Sequence, residues 1–146
     1  MSAPAAATSV GRIPTALLEA GVPLGPLWLL ETRGRRSGRT RTVPIAVLRH
    51  GGERWLVSPF GDVAWVHNAR ADSAATLRRG RSRHPVELVE TYDGPVPEVL
   101  RRYRRTFRAV PFVRAAFRAG PTDSLETFAA IAARHPVFRL VRARAA

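Results

Sequence analysis

Cysteine and lysine are both absent from this chain of 146 residues. Without cysteine the protein cannot form a disulfide, a thiolate nucleophile, an iron–sulfur cluster or a zinc site built on thiolates. Without lysine it cannot form a Schiff base with a carbonyl substrate. Any catalytic chemistry must therefore come from other side chains or from a bound cofactor.

The titratable side chains that are present do not form a pattern typical of hydrolytic or metal enzymes. The 11 acidic residues include no obvious pair of carboxylates. Ser37 and Ser58 do not lie in the G-x-S-x-G pattern of a nucleophile elbow. Metal-ligand spacing is missing among the four histidines, which are His50, His67, His84 and His135. We therefore expect no metal site, structural or solvated histidines, and chemistry carried by a cofactor.

Arginine alone carries the positive charge, and 24 arginines against 11 acidic residues give a formal net charge of +13. A charge of this size attracts anions such as nucleic acid, anionic lipid or a polyanionic small molecule. Arginine without lysine, together with abundant alanine, also indicates a GC-rich genome. Codon usage is therefore a second explanation for part of the charge.

Length and hydropathy indicate one globular domain. A chain of 146 residues can bury one substantial core but not two, and 45% of its residues are hydrophobic. Residues 1–12 are expected to be a short disordered tail, because MSAPAAATSV lacks the basic start and long apolar core of a signal peptide. No apolar run approaches the length of a transmembrane segment. We expect a cytoplasmic protein with a single domain over residues 13–146.

The chain is rich in predicted strands up to Thr91 and in predicted helices after it. Apolar runs bounded by turn residues predict strands at Leu27–Glu31, Thr42–Arg49, Glu53–Ser58, Ala74–Arg79, Pro85–Thr91 and Val137–Val141. Gly51–Gly52 predicts a tight hairpin turn. Helical periodicity and end signals predict helices at Pro14–Ala20, Val63–Ala71, Val96–Phe107 and Phe112–Phe117, and a further helix capped by Thr122 or Asp123.

The helical segment, at about residues 95–134, is expected to pack on the sheet. Its first helix should turn a basic face to solvent, carrying Arg101, Arg102, Arg104 and Arg105. Its last helix should direct Leu125, Phe128 and Ala129 inward. The order of elements, mainly β with helices before a closing strand, predicts an α+β fold, a split β-barrel with helices packed on it.

A basic loop connects the first two predicted strands. Residues 32–44 read TRGRRSGRTRTVP and hold five arginines within nine residues. Gly34 and Gly38 allow backbone turns in which successive N–H groups point at one anion. Arginine offers a planar fork of donors that matches phosphate or carboxylate, and hydroxyls are available at Ser37, Thr40 and Thr42. A solvated hairpin loop is the alternative, but the glycines, hydroxyls and flanking strands favour a phosphate site.

Two segments of the sequence resemble the deazaflavin (F420)-dependent nitroreductase and quinone reductase family. In that family the pattern T-x-G-R-[KR]-[ST]-G-x-x-R-x-x-P holds the phosphate of F420, and here it falls on Thr32, Gly34, Arg35, Arg36, Ser37, Gly38, Arg41 and Pro44. SPFGDVAWVHNARAD resembles the family's S-x-x-G-x-x-x-W-x-x-N-[LI]-[RK]-A segment, at Ser58, Gly61, Trp65, Asn68, Arg70 and Ala71. The closing HPVFRLVR is similar to the family's last strand, so the resemblance covers Leu27 to Arg142.

The resemblance implies a fold, a reaction and a set of site residues. The fold is the split barrel of flavin and deazaflavin oxidoreductases, and the reaction is hydride transfer from reduced F420 to a small organic acceptor: a quinone, activated alkene or nitro compound. It places the F420 phosphate at Arg35, Arg36, Ser37, Gly38 and Arg41, with backbone contacts through Thr42, Val43 and Pro44. It places the deazaflavin ring near Ser58, Pro59, Phe60, Gly61, Ala64 and Trp65.

The chain also departs from the family. Some members have a lysine-containing, glycine-rich turn after the third strand, where this chain has Pro59–Phe60–Gly61–Asp62. The tyrosines that line the substrate pocket of nitroimidazole-activating members have no clear match, since Tyr92 and Tyr103 are the only tyrosines. Cofactor binding is therefore expected to carry over, and nitroimidazole activation is not. Trp65 and Phe60 have an alternative interpretation as a core residue and a loop anchor.

Two other functions are compatible with the sequence. FMN also offers a phosphate and a planar ring, so an FMN-binding split-barrel oxidoreductase is the first alternative. The second is a basic nucleic-acid-binding module without catalysis. Aromatic residues, 8% of the chain, do not alternate with the arginines as in a stacking platform, so no specific nucleic-acid partner is expected. A monomer and a homodimer are both compatible with the sequence.

Overall fold

One seven-stranded sheet runs through residues 25–143, the part of the chain that the computed structural model describes. The strands are β1 (Leu27–Arg33), β2 (Thr40–Ala46), β3 (Leu48–His50), β4 (Glu53–Val57), β5 (Ala74–Arg79), β6 (Ser82–Thr91) and β7 (Val137–Arg142). The helices are α1 (Ala64–Ala71), α2 (Val96–Thr106), α3 (Pro111–Ala116) and α4 (Leu125–Ile131), with a short 3-10 turn at Ala132–Arg134. The predicted tail 1–12 and helix Pro14–Ala20 lie outside the described residues.

All neighbouring strands are antiparallel, in the order β2-β1-β5-β6-β7-β4-β3, and the sheet curls into a half-barrel. The long β1–β2 hairpin pairs Leu27 with Ala46 at its base and Arg33 with Thr40 at its tip. The basic loop is therefore the tip of this hairpin. The α+β split-barrel prediction is confirmed.

The predicted strand Thr42–Arg49 is two strands. It breaks at Val47, whose backbone N–H donates to the carbonyl of Pro26 at 2.8 Å, one pair beyond the Leu27–Ala46 end of the β1–β2 pairing. The predicted tight turn at Gly51–Gly52 is confirmed, with φ of 60° and 76° at the two glycines. Only glycine adopts two successive positive φ values at little cost, so this pair fixes the register of β3 against β4.

Both faces of the sheet are covered. One core cluster lies under the helical segment and includes Val99, Leu100 and Phe128 together with the strand residues Trp55 and Val57. The other lies on the α1 side of the sheet and is made of residues such as Leu30, Leu56, Val66, Leu77 and Phe138. Strands β1, β2, β4 and β7 contribute side chains to both clusters, whereas β3 contributes only to the first and β5 and β6 only to the second.

Two predictions about the last helix are wrong. Its N-cap is Ser124, whose side chain accepts from the N–H of Thr127 at 3.3 Å, rather than Thr122 or Asp123. Asp123 instead accepts from the N–H of Gly120 at 2.8 Å and closes the preceding turn. Ala129 faces solvent, because the inward face of this helix is the one that carries the buried Phe128.

The prediction of a solvated arginine face on α2 is wrong for Arg104, which is 7% exposed. The chain after α2 folds back over this side of the helix. The Arg104 Nε donates to the carbonyl of Ala119 at 3.1 Å, fifteen residues further on. A hydrophobic period along one helix could not reveal this cover, because it is supplied by a distant segment.

Within residues 25–143, no helix combines the length and the apolar character that a bilayer crossing requires.

Candidate functional site

The tip of the β1–β2 hairpin is a loop closed by its own backbone. The N–H of Gly34 donates to the carbonyl of Arg39 at 2.8 Å, and the N–H of Gly38 donates to the carbonyl of Gly34 at 2.8 Å. The Ser37 Oγ accepts from the N–H of Arg39 at 3.1 Å. Gly38 has a φ of 71°, so glycine is needed for this turn. The loop therefore has a defined shape, and its arginines are exposed.

Gly34 is buried at the base of the loop, where there is little room for a side chain. A Cβ at this position would lie 3.0 Å from the carbonyl oxygen of Arg39 and 3.0 Å from the Ser37 Oγ. These contacts are tighter than nearly all that real Cβ atoms make, so the neighbouring atoms would have to move by a few tenths of an ångström. The glycine therefore permits a tight cradle in which backbone and hydroxyl groups crowd together.

A buried asparagine connects the loop to helix α1. The Asn68 Oδ1 accepts from the backbone N–H of Arg35 at 3.2 Å and from its Nη1 at 3.0 Å. The Asn68 Nδ2 donates to the Oγ1 of Thr32 at 3.2 Å. Asn68 and Thr32 are 2% and 3% exposed. This bridge fixes both the backbone of the loop at Arg35 and the direction of the Arg35 side chain.

The other arginines of the loop are exposed and have no acidic partner. Among residues 25–143, no carboxylate forms an ion pair with an arginine of the loop, namely Arg33, Arg35, Arg36, Arg39 and Arg41. Glu31, lower in the hairpin, is occupied by Arg78 at 2.7 Å and Arg83 at 2.6 Å. Clustered guanidinium groups without counterions are a donor set for an external phosphate or carboxylate. The residues present thus fit the phosphate of a cofactor.

The residues that follow the loop run down strand β2. Thr42, Val43 and Pro44 pair with Glu31, Leu30 and Leu29 of β1. Thr42 is exposed, while Val43 and Pro44 are half-buried. They lie directly beside the loop, and their contact with a cofactor stays a prediction.

The second predicted segment forms a turn after β4, over residues 58–61. Ser58 is fully buried; its Oγ donates to the carbonyl of Gly61 at 2.5 Å, and its N–H donates to the carbonyl of Pro136 at 2.9 Å. Gly61 has a φ of 79° and approaches the carbonyl of Arg134. The turn is therefore held from within by Ser58 and from outside by the chain just before β7.

His135 supports this turn. Its Nδ1–H donates to the carbonyl of Pro59 at 3.0 Å, and its ring stacks on Phe117 with centroids 4.0 Å apart. Burial lowers the pKa of His135 below its ordinary value of 6.5, although hydrogen bonds to the Pro59 and Ser58 backbone act in the opposite direction. The neutral imidazole is thus a structural strut, in agreement with the structural role expected for the histidines.

The aromatic residues assigned to the ring site have different environments. Phe60 is half-buried and packs on Phe112 of α3 at 5.8 Å between centroids. Trp65 is 8% exposed and packs on Phe138 at 5.3 Å, so most of its surface belongs to the core. Ala64 is the exposed first residue of α1. A role of these residues in cofactor binding stays a prediction.

Helix α1 joins the two parts of the site. It begins at Ala64, beside the 58–61 turn, and carries Asn68 one turn later to the arginine loop. Beyond it, Arg70 pairs with Asp62 at 3.2 Å and with Glu90 at 2.8 Å. The Arg70–Glu90 hydrogen bond raises the pKa of Arg70 and lowers that of Glu90. The first pair fixes helix α1 against Asp62, in the segment that leads into the helix, and the second fixes it against strand β6.

Thr32, Asn68 and His135 contribute to the site's geometry without having been assigned to it from the sequence. Thr32 and Asn68 occupy specified positions of the two family patterns, and this match is the sequence feature that could have identified them. Their contact spans 36 positions of the chain, so only the fold reveals the bridge. His135 gave no signal beyond preceding a proline. No group of three or more histidine, aspartate or glutamate side chains within residues 25–143 could hold a metal ion.

A protein-family model matches most of this chain. The model of the F420H(2)-dependent quinone reductases matches residues 8–115. A sequence search of curated proteins gives no match.

Several solved structures share the fold. One, described as a domain-swapped dimer, is 22% identical with a TM-score of 0.54 over 88% of this chain and 94% of that one. A putative pyridoxamine 5′-phosphate oxidase from Listeria innocua is 12% identical with a TM-score of 0.53 over 88% and 90%. The F420-H2 dependent reductase FDR-A is 22% identical with a TM-score of 0.49 over 80% and 94%. The first two likenesses show a shared fold, the split barrel of flavin-binding proteins.

Proposed function

Because the chain belongs to the F420H(2)-dependent quinone reductase family, a family of oxidoreductases, we propose that it binds reduced F420 and reduces a small quinone. One observation carries the proposal: a shaped loop of unpaired arginines is tied by Asn68 to the helix that begins beside the 58–61 turn. Activated alkenes and nitro compounds are the further acceptor classes. When bound, F420 would supply the hydride.

The loop would hold the phosphate end of the cofactor. Arg36 and Arg41 are exposed and unpaired within residues 25–143, so both forks are available to phosphate oxygens. Arg35 gives one Nη1 donor to Asn68, which leaves its remaining donors for the ligand. The hydroxyl of Ser37 and the backbone around Gly38 add neutral donors. The phosphate would thus anchor the cofactor at the hairpin tip.

The 58–61 turn and the start of α1 would hold the ring end. Ser58 and His135 direct their polar atoms into the turn's own backbone, through bonds of 2.5 Å and 3.0 Å. The outer surface of the turn is therefore left to Pro59, Phe60 and Ala64, which are apolar. An apolar surface suits a planar ring and a planar acceptor laid against it.

The turn offers no free acid for the acceptor. Reduction of a quinone needs one hydride and one proton, and the Ser58 hydroxyl and His135 N–H are both already donated to carbonyls. We expect the proton to come from water. The reaction should accordingly depend on positioning more than on a titrating residue of the protein.

The tyrosines support a quinone over a nitroimidazole as acceptor. Tyr103 is 6% exposed and packs between Phe107 and Phe117, with centroids at 4.8 Å and 5.8 Å, and its burial raises its pKa. Tyr92 is 76% exposed, and its hydroxyl is hydrogen-bonded to Glu90, which raises the pKa of Tyr92. The Tyr103 side chain is thus enclosed in the core, and the Tyr92 hydroxyl is engaged by Glu90.

The test is oxidation of F420H2 by purified protein with menadione as the quinone and a 5-nitroimidazole as comparison. We expect turnover with menadione and little with the nitroimidazole. Arg41→Ala should raise KM for F420H2 much more than it lowers kcat, because the loop holds the cofactor and not the reacting atoms. Absence of F420H2 oxidation with quinone, alkene and nitro acceptors alike would overturn the proposal.

An FMN-dependent oxidoreductase is the second candidate, because the fold is shared with flavin-binding proteins. Protein that is yellow as purified, with a flavin spectrum, would support it. The loop does not discriminate, since FMN also ends in a phosphate.

The oligomeric state bears on whether one chain completes the pocket. One structural neighbour is described as a domain-swapped dimer. We propose a homodimer for this chain, and light scattering during size-exclusion chromatography distinguishes it from a monomer.

A further inference from the structure

A second basic pocket lies in the helical segment, outside the hairpin tip and the 58–61 turn. It has a volume of about 540 Å³ and is lined by Arg104, Pro111, Arg114, Ala115, Phe117, Arg118, Ala119 and Gly120. Ligand pockets in proteins typically measure about 300–1,000 Å³. The pocket is therefore of a size for a small molecule, and none of its lining residues belongs to the proposed cofactor site.

The pocket is strongly positive. Three of its lining residues are arginines and none is acidic. No carboxylate in residues 25–143 forms an ion pair with Arg104, Arg114 or Arg118. Asp123, which lies close by, uses its Oδ2 to accept from the N–H of Gly120. Its carboxylate is thus engaged with the backbone and forms no ion pair with the three arginines.

Arg104 gives this charge a fixed position. It is 7% exposed, and buried arginines are rare unless they are paired with an anion. Its Nε donates to the carbonyl of Ala119 at 3.1 Å, and its Nη1 reaches the carbonyl of Arg108 only at 3.5 Å. Two neutral carbonyls hold the guanidinium in place but supply no full negative charge. These carbonyls also supply no partner for Arg114 and Arg118, the two further arginines that line the pocket.

The remainder of the wall is apolar and rigid. Phe117 is 5% exposed and is stacked between Tyr103 and His135. Pro111 and Ala115 complete this side. A ligand that matches both halves of the pocket has an anionic oxygen group at one end and a small apolar body at the other.

We propose that this pocket binds the carboxylate or phosphate group of a small organic molecule, with Arg104 as the buried anchor and Arg114 and Arg118 at the rim. The proposal does not depend on the proposed function. A buried cation without a counterion, in a pocket with three arginines and no acid, is the juxtaposition that supports it.

The test is isothermal titration with benzoate and with inorganic phosphate, at an ionic strength held constant with chloride. Because the hairpin tip should also bind phosphate, the titrations use Arg36→Ala/Arg41→Ala protein. We expect saturable binding of at least one probe at a single site. Adding Arg114→Ala and Arg118→Ala should weaken that binding by about tenfold or more, since charge-assisted hydrogen bonds are lost. Both residues are exposed, so folding should be preserved.

The matched control adds Arg49→Ala and Arg81→Ala instead, which removes the same charge from exposed positions elsewhere. This control should leave the affinity within about twofold, as exposed charges contribute little. Benzoate alone, or phosphate alone, would support the proposal and identify the anion class. No saturable binding of either probe, or an equal loss in the control, would overturn it.

Discussion

Asn68 is the residue through which the arginine loop and helix α1 meet. Its amide uses both ends: the oxygen accepts two donors from Arg35, and the nitrogen donates to Thr32. The group is 2% exposed, so water cannot replace any of these partners. A buried amide that is fully satisfied fixes geometry, and its loss leaves several polar groups unpaired at once.

Asn68→Ala should therefore affect both stability and cofactor affinity. Leaving buried polar groups unpaired costs about 1–3 kcal/mol, which urea denaturation would measure as a lower midpoint. F420 affinity should fall as well, because Arg35 is no longer held. His67→Ala, in the same helix but half-buried and without a side-chain hydrogen bond, is the control and should change neither quantity. Unchanged F420 affinity in Asn68→Ala would show that the loop keeps its shape without the bridge.

His135 predicts a pH dependence of stability. Burial holds its pKa in the folded protein below 6.5, the value expected in the unfolded chain. Between the two values the unfolded state binds more protons, so the free energy of unfolding falls as the pH is lowered below about 6.5 and levels off below the folded pKa. Denaturation midpoints at a series of pH values from neutral to mildly acidic measure this slope.

The variant His135→Gln removes the titrating group, and this part of the slope should disappear with it. His84→Ala, at an exposed position, should retain the slope of the original protein. If His135→Gln destabilises the protein equally at every pH and leaves the slope intact, another group is responsible for the pH dependence.

At the level of elements, the hairpin tip needs glycine at position 34 because the space around its Cα is tight. Its backbone conformation does not require glycine. Gly34→Ala would bring a methyl group to 3.0 Å from Arg39 O and Ser37 Oγ, so the loop backbone and the Ser37 side chain must shift. Overpacking of this kind costs about 1–3 kcal/mol, and the displaced arginines should bind F420 at least about tenfold more weakly. Thermal denaturation and isothermal titration measure the two effects.

Gly94→Ala is the control for Gly34→Ala, because it should lower stability without altering the arginine loop. Gly94 has a φ of 59° but open space around its Cα, and it lies before α2, away from the loop. An alanine in this conformation costs about 1–2 kcal/mol, so stability should fall while F420 affinity is unchanged. Equal losses of affinity in the two glycine variants would mean that affinity reports general stability.

Local patterns predict the elements of this chain, and distant contacts decide the details of the site. Most of the strands, the Gly51–Gly52 turn and helix α1 follow from short-range periodicity and turn residues, but the break between β2 and β3 at Val47 does not. The cap at Ser124 was missed because Thr122, Asp123 and Ser124 are all capping residues, and only the fold selects one. Arg104 was assigned to solvent because its cover, the segment ending at Ala119, comes from a later part of the chain. The loop's composition predicts an anion site, but not that Asn68 would secure it.

At the level of the whole molecule, the net charge of +13 predicts weak, nonspecific affinity for nucleic acid. Such binding releases counterions, so it should fall steeply as salt is raised from about 50 to about 200 mM. Fluorescence anisotropy with two unrelated DNA duplexes should give the same affinity for both. Tight, sequence-selective binding at physiological salt would instead support the nucleic-acid-binding module.

The central claim is that the hairpin tip is a shaped site for the phosphate of F420, and isothermal titration of loop variants tests it most directly. Arg41→Ala should weaken F420 binding by about ten- to a hundredfold, because hydrogen bonds to charged groups contribute roughly 1.5–3 kcal/mol. Arg41→Lys should restore only part of the affinity, since lysine lacks the bidentate fork. Arg39→Ala should have a much smaller effect. If F420 does not bind the original protein at micromolar concentration, or if Arg39→Ala is as damaging as Arg41→Ala, the claim is contradicted.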